Sequence, residues 1–199
     1  MSEVSRETIM RAAIATAILA LTLPSALAAQ DDAPIINREA QVDYQGFADL
    51  TKEVLDYRMP RLVDAEEFNQ RAAKDNVLIL DTRSAAAFAA GHVEGAVNLP
   101  FSEFTDDKLR KVIGDDQDRE ILIYCNNNFA ENAPPIPLKR APLALNIPTF
   151  INLYGYGYRN VYELDGSYWL ADKQIAWAGE IPNPGRLSGP VQLQLRQPE

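Results

Sequence analysis

The chain has 199 residues, 47% of them hydrophobic and 24% charged, which suits one core of ordinary size and leaves little room for a second full domain. A formal net charge of -9 with no basic stripe excludes nucleic acid and anionic lipid as expected partners, because both carry the same sign. The single cysteine excludes an intramolecular disulfide, and the single histidine excludes a multi-histidine metal site or a histidine-based triad.

In chain order, Arg11 is followed by an apolar run from Ala12 to Leu23, then Pro24 and Ser25-Ala26-Leu27-Ala28-Ala29. A short apolar segment ending in small residues reads as a secretory signal peptide over 1–29, too short for a membrane span. The expectation is an exported protein, periplasmic in a Gram-negative source, with no stable membrane insertion after processing. Residues 30–57 read as an N-terminal extension. Its first part is polar, and Phe47, Leu50, Val54 and Leu55 fall at helical spacing within Tyr44 to Tyr57. Pro60 ends that helix, and Asp64 caps another running from about Ala65 to Lys74, with Phe68 and Ala72 inward.

Val77-Leu78-Ile79-Leu80 is a continuous apolar run, as expected of a strand covered on both faces. Ser84 to Ala90 is alanine-rich and helical, Gly91 and Gly95 bracket a loop, and Val97 to Leu99 forms a short extended piece. A helix is expected over Lys108 to Ile113, a turn over Asp115 to Arg119, and a second strand over Glu120 to Tyr124, with Cys125 directly at its end. Asn126 to Arg140 has three prolines and few large apolar residues, so it reads as a long loop, a length that marks function or disorder. Asn146 caps the next helix, with Pro148 in its first turn. Asn160 to Leu164 is a third strand, Trp169 to Trp177 a last helix with both tryptophans in the core, and 179–199 a tail. Strands alternating with helices imply an α/β fold, a parallel central sheet with helices on both faces.

Three blocks resemble one family. Leu80-Asp81-Thr82-Arg83, then Phe88, then Gly91-His92-Val93-Glu94-Gly95-Ala96-Val97-Asn98-Leu99-Pro100 is similar to the signature of rhodanese-like domains. Ile121 to Cys125 resembles that family's strand leading into its active cysteine, and Tyr158 to Gly166 its closing strand and turn. The resemblance covers about Leu62 to Trp177 and places a rhodanese-like domain at 58–178.

The resemblance implies sulfur transfer with no cofactor and no metal. Cys125 would take a sulfane sulfur from a small donor or a protein persulfide and pass it to a thiophilic acceptor. The thiolate is the reactive form of a cysteine, so the site has to favour negative charge. A cradle of backbone amides over Asn126, Asn127, Asn128, Phe129 and Ala130, ahead of a helix N-terminus, is expected to do so. Lys139 and Arg140 are the only cations before the next helix, and they are expected to fold back over the pocket. Asp81, Arg83 and His92 are read as structural support, with His92 ordering a turn away from the cysteine.

The loop departs from the family in lacking both arginine and glycine, and Ala87 stands where the family often has a glutamate that pairs with the arginine at Arg83. Small dianionic donors are therefore expected to bind weakly, and a persulfide or polysulfide carried by a partner is the expected source. The alternative is a catalytically inactive rhodanese-like module that binds a protein through the long loop or through Tyr154, Tyr156 and Tyr158. A phosphatase of this fold would need the missing arginine, and a redox sensor with one cysteine would need a mixed disulfide.

Overall fold

The computed structural model describes residues 41–182. The signal peptide expected over 1–29, the start of the extension and most of the tail lie outside the described residues. Five strands form one parallel sheet: β1 (Leu62–Val63), β2 (Leu78–Asp81), β4 (Val97–Asn98), β5 (Ile121–Tyr124) and β6 (Val161–Leu164). Their spatial order is β1-β6-β5-β2-β4, which puts β5 in the centre between β6 and β2. Every residue of β2 and β5 is buried. That explains their unbroken apolar composition, since a strand covered on both faces has no solvent side to alternate toward. The remaining strands, β3 (Gly91–Val93) and β7 (Trp177–Gly179), pair antiparallel as a small separate ribbon.

Helices cover both faces. On one face, α1 (Tyr44–Arg58), α4 (Asp106–Ile113) and α5 (Asn146–Gly155) supply Val54, Leu109, Ile113, Phe150 and Leu153 to a core with Leu80, Ile121, Ile123 and Val161. On the other face, Phe68 of α2 (Ala65–Ala72) packs with Ile79, Leu122, Tyr124, Phe129, Leu164 and Ile175. The helix starts follow local chemistry. Asp64 accepts from the Glu67 amide at 2.9 Å and Ser84 from the Ala87 amide at 3.2 Å, the latter opening α3 (Ala85–Ala90).

Several expectations need correction. Of the four apolar residues at helical spacing on α1, only Val54 is buried, whereas Phe47 and Leu55 face solvent. The helix expected over Trp169 to Trp177 is a 3-10 turn, Leu170–Asp172, followed by β7. Lys173 adopts a left-handed backbone, φ 56°, directly after the turn and so prevents its continuation. Trp169 is not core but 49% exposed. Gly91 belongs to β3 instead of a loop, and a Cβ there would stand 2.8 Å from Trp177 Nε1, so the tryptophan ring lies on the bare backbone. Tyr154 and Tyr158 are buried and Tyr156 is half-buried. Packing of these tyrosines, with a docking patch as the alternative, is what the sequence favours: Tyr154 meets Tyr57 edge-on and donates to Glu53, while Tyr156 donates to the Phe104 carbonyl at 3.4 Å.

Candidate active site

Strand β5 delivers Cys125 to the carboxyl end of the central strand, where open α/β sheets hold their ligands. The chain then turns through a 3-10 turn, Asn126–Asn128. Cys125 is 1% exposed, a free thiol buried at the base of this turn.

The three asparagines secure the chain instead of presenting side chains to a substrate. Asn126 Nδ2 donates to the Pro137 carbonyl at 2.9 Å. Asn127 pairs with the backbone of Lys139 in both directions, donating at 2.7 Å and accepting at 3.2 Å. Buried Asn128 is the hub: its Oδ1 accepts from the Cys125 amide at 2.9 Å and from Asn146 Nδ2 at 3.1 Å, and its Nδ2 donates to the carbonyls of Leu164 and Gly166. The loop is further joined to the stretch after β6. Ala130 donates to the Tyr168 carbonyl at 3.0 Å, Tyr168 to the Asn128 carbonyl at 2.9 Å, and the Leu170 amide to Glu131 Oε1 at 2.6 Å.

Two members of the expected amide cradle, Asn127 and Asn128, bring their amides to Cys125, the Asn128 amide closing a capping box with the Cys125 side chain. The amides of Asn128, Phe129 and Ala130 are bonded to the carbonyls of Cys125, Asn126 and Tyr168, as a tight turn with i to i+3 bonding requires. Beside the Asn128 amide, those of Asn146, Asn127 and Leu145 act on the sulfur. Asn146 is the first residue of α5 and Leu145 its cap, at a helix start whose early N–H groups have no partner within the helix. Leu145, and not Asn146, occupies the cap position. Phe129 is fully buried between Tyr124 and Trp177 and belongs to the core, not to a binding surface. Lys139 and Arg140, the expected cations over the pocket, are exposed, and the Asn127 clamp holds Lys139 by its backbone.

Burial pushes the Cys125 thiol above its ordinary pKa; the Asn146 and Asn127 amides oppose the rise, the Glu163 carboxylate adds to it, and the Leu145 amide opposes it. Two amide oxygens of the loop and helix, Asn126 Oδ1 and Asn146 Oδ1, are buried with no protein partner. The surroundings of the sulfur are thus rich in neutral dipoles and acceptors. A raised thiol pKa stabilises the fold below the free thiol's value of about 8.5, and that contribution is lost as pH rises through the higher folded value. The stability of the wild type relative to Cys125→Ser should accordingly fall in urea unfolding above about pH 8.5; a difference that stays flat with pH would contradict it.

Asp81, Arg83 and His92 lie around the adjoining strand end. The Arg83 guanidinium pairs with Asp81 at 2.6 Å and donates to the Gly91 carbonyl at 2.7 Å, both side chains being almost fully buried. Tyr124, held protonated by burial and by Asp81, donates to that carboxylate and accepts from the Val93 amide at 3.1 Å. Asp81 thus takes the place of the glutamate absent at Ala87. His92 stacks on Phe88 at 3.8 Å, with Nδ1 2.8 Å from the Phe88 carbonyl. Sequence reasoning missed Glu163, Asn146 and Arg58. The signal for Glu163 was a charge in the otherwise apolar third strand.

A family model described as rhodanese-like domain matches residues 64–170. Over 68 residues the chain is 34% identical to the HTH-type transcriptional regulator Rv0324 of Mycobacterium tuberculosis, covering 34% of this chain and 28% of that protein. Over 111 residues it is 25% identical to the tRNA uridine(34) hydroxylase of Prochlorococcus marinus, covering 52% and 31%. The matched stretches therefore span less than a third of either relative's length. Among solved structures, the rhodanese-like domain of the Anabaena Alr3790 protein is 21% identical with a TM-score of 0.43, over 66% of this chain and 86% of that one. The human single-domain sulfurtransferase TSTD1 is 20% identical with a TM-score of 0.37, over 54% and 91%.

Proposed function

The chain belongs to the rhodanese-like domain family, and on that premise we propose that it transfers sulfane sulfur through Cys125. The observation that carries the reading is the place of Cys125, at the carboxyl end of the central strand with the Asn128 amide against its side chain; the Asn146, Asn127 and Leu145 amides oppose the rise in its pKa that burial causes. The Cys125 thiolate attacks the outer sulfur of a donor persulfide R–S–S–H. The new bond is Cys125 S–S–H, the donor S–S bond breaks, and R–S⁻ leaves. An acceptor thiolate then takes the outer sulfur, and Cys125 departs as thiolate. A persulfide R–S–S–H or a singly charged hydropolysulfide suits this site better than thiosulfate, because the loop brings no cation to the sulfur to meet two negative charges. In the exported protein expected from residues 1–29, burial shields the sulfur from oxidants.

Intact mass spectrometry after exposure to polysulfide and, separately, to thiosulfate tests the reading. Wild type is expected to gain one sulfur atom from polysulfide and little from thiosulfate, and Cys125→Ser none. The near-complete burial of the thiol favours one other reading, a partner-binding module that does not turn over sulfur. No gain from either donor, in folded protein with a reduced thiol, would replace the first reading with the second.

A further inference from the structure

We propose that Arg58, on the helix preceding the family-matched segment, is a positioning residue of the Cys125 site: it holds the Glu163 carboxylate in a bidentate pair and, through Asn146 and Asn128, fixes the cysteine. This rests on reading Cys125 as the reacting group. The loop after the cysteine brings no cation to the sulfur, and the end of α1 brings one to the neighbouring carboxylate from the far side.

The placement follows from the sheet. Glu163 on β6 lies in register with Ile123 on β5, and Cys125 is two residues beyond Ile123. Side chains two apart on a strand share a face, so Glu163 and Cys125 both look toward the layer formed by α1 and α5. At the end of α1, Arg58 Nε meets Glu163 Oε2 at 2.5 Å and Nη2 meets Oε1 at 2.8 Å, the two-pronged geometry that suits arginine. The pair is shielded, with side chains 30% exposed for Arg58 and 7% for Glu163.

From there hydrogen bonds run inward without a break. Asn146 Nδ2 donates to Glu163 Oε1 at 3.2 Å and to Asn128 Oδ1 at 3.1 Å, and Asn128 Oδ1 accepts from the Cys125 amide at 2.9 Å. The Asn146 backbone amide in turn acts on the sulfur. Arg58 therefore bears on the thiol twice, by neutralising a carboxylate that disfavours the thiolate and by anchoring the asparagine that favours it.

The other charges around the thiol are few. Residues Asn146–Gly155 of α5 carry none, Lys139 and Arg140 are exposed, and Asp165, just past β6, acts on Arg58 with Glu163. Without Arg58, Glu163 would face the sulfur as an uncompensated buried charge.

The experiment is the pH profile of Cys125 alkylation by iodoacetamide, followed by intact mass, in the full chain. Arg58→Met should move the midpoint upward and slow alkylation about 3–10-fold below it, since one pKa unit is tenfold in thiolate. Glu163→Gln should move the midpoint down, and Arg58→Met should have no further effect in the Glu163→Gln background. Arg58→Lys should recover part of the shift, because lysine restores charge without the fork. A merely structural role would change the rate at all pH values and leave the midpoint in place. An Arg58→Met midpoint equal to wild type, or an upward shift in Glu163→Gln, overturns the proposal. Should Arg58→Met fail to fold, Glu163→Gln and Arg58→Lys decide alone. Alkylation needs no sulfur donor, so failure of the polysulfide reaction with these shifts intact would sink sulfur transfer and not the Arg58 role.

Discussion

Replacing Asp81 by alanine is expected to destabilise the domain by about 3–5 kcal/mol, the cost of removing one partner of a buried ion pair. Asp81 Oδ1 accepts from the Arg83 amide at 2.9 Å and from Nε at 3.0 Å, while Oδ2 accepts from Nη2 and from the Tyr124 hydroxyl. Without it the guanidinium keeps the Gly91 carbonyl at 2.7 Å and a long contact to the Pro135 carbonyl at 3.5 Å. Neither supplies negative charge, and the side chain is too deeply buried to be rescued by water. The damage reaches across β2, β3 and β5, because Tyr124 also holds the Val93 amide. Equilibrium unfolding in urea reads the effect, and Asp81→Asn should fall between wild type and alanine. A loss below about 1 kcal/mol, the range of an exposed pair, would show that Arg83 finds solvent when unpaired.

Phe129→Ala is expected to cost a comparable amount, about 3–5 kcal/mol for a fully buried aromatic. Its second effect is more informative. Phe129 is the apolar anchor of the segment that closes over Cys125, its ring 5.9 Å from Tyr124 and 5.2 Å from Trp177. Removing it should raise the alkylation rate of Cys125 at fixed pH while the midpoint of the pH profile stays put, the reverse of the Arg58→Met pattern. If stability falls and alkylation is unchanged, the asparagine clamps close the site on their own.

The strands with the most burial were the most legible. β2 and β5 announce themselves as apolar runs because both faces are covered, and Cys125 follows from its place at the end of one of them. β1, β3 and β7 have two or three residues each, too few for any alternation to register, and exist only through partners distant in sequence. The asparagine run shows a different limit. An asparagine amide serves a ligand or a nearby backbone equally well, and here the carbonyls of Pro137, Lys139, Leu164 and Gly166 decide the matter. Polar neighbours make Phe129 read as loop, but a single aromatic suffices to anchor a segment in the core. Arg58 and Glu163 are separated by 105 positions, so nothing local in the sequence links them.

The segment over Cys125 is more than a flap. Phe129 bridges Tyr168 as a parallel pair, with Ala130 and Tyr168 joined to their partners through backbone bonds. Admitting a large donor therefore means breaking ladder hydrogen bonds and withdrawing an aromatic ring from the core, not swinging a side chain. Such openings are local unfolding events, slower and rarer than rotamer motion. On the proposed sulfur transfer, the breathing of the fold would set how fast sulfur reaches this cysteine, and a partner that captured the opened segment would act as a clock as much as a donor.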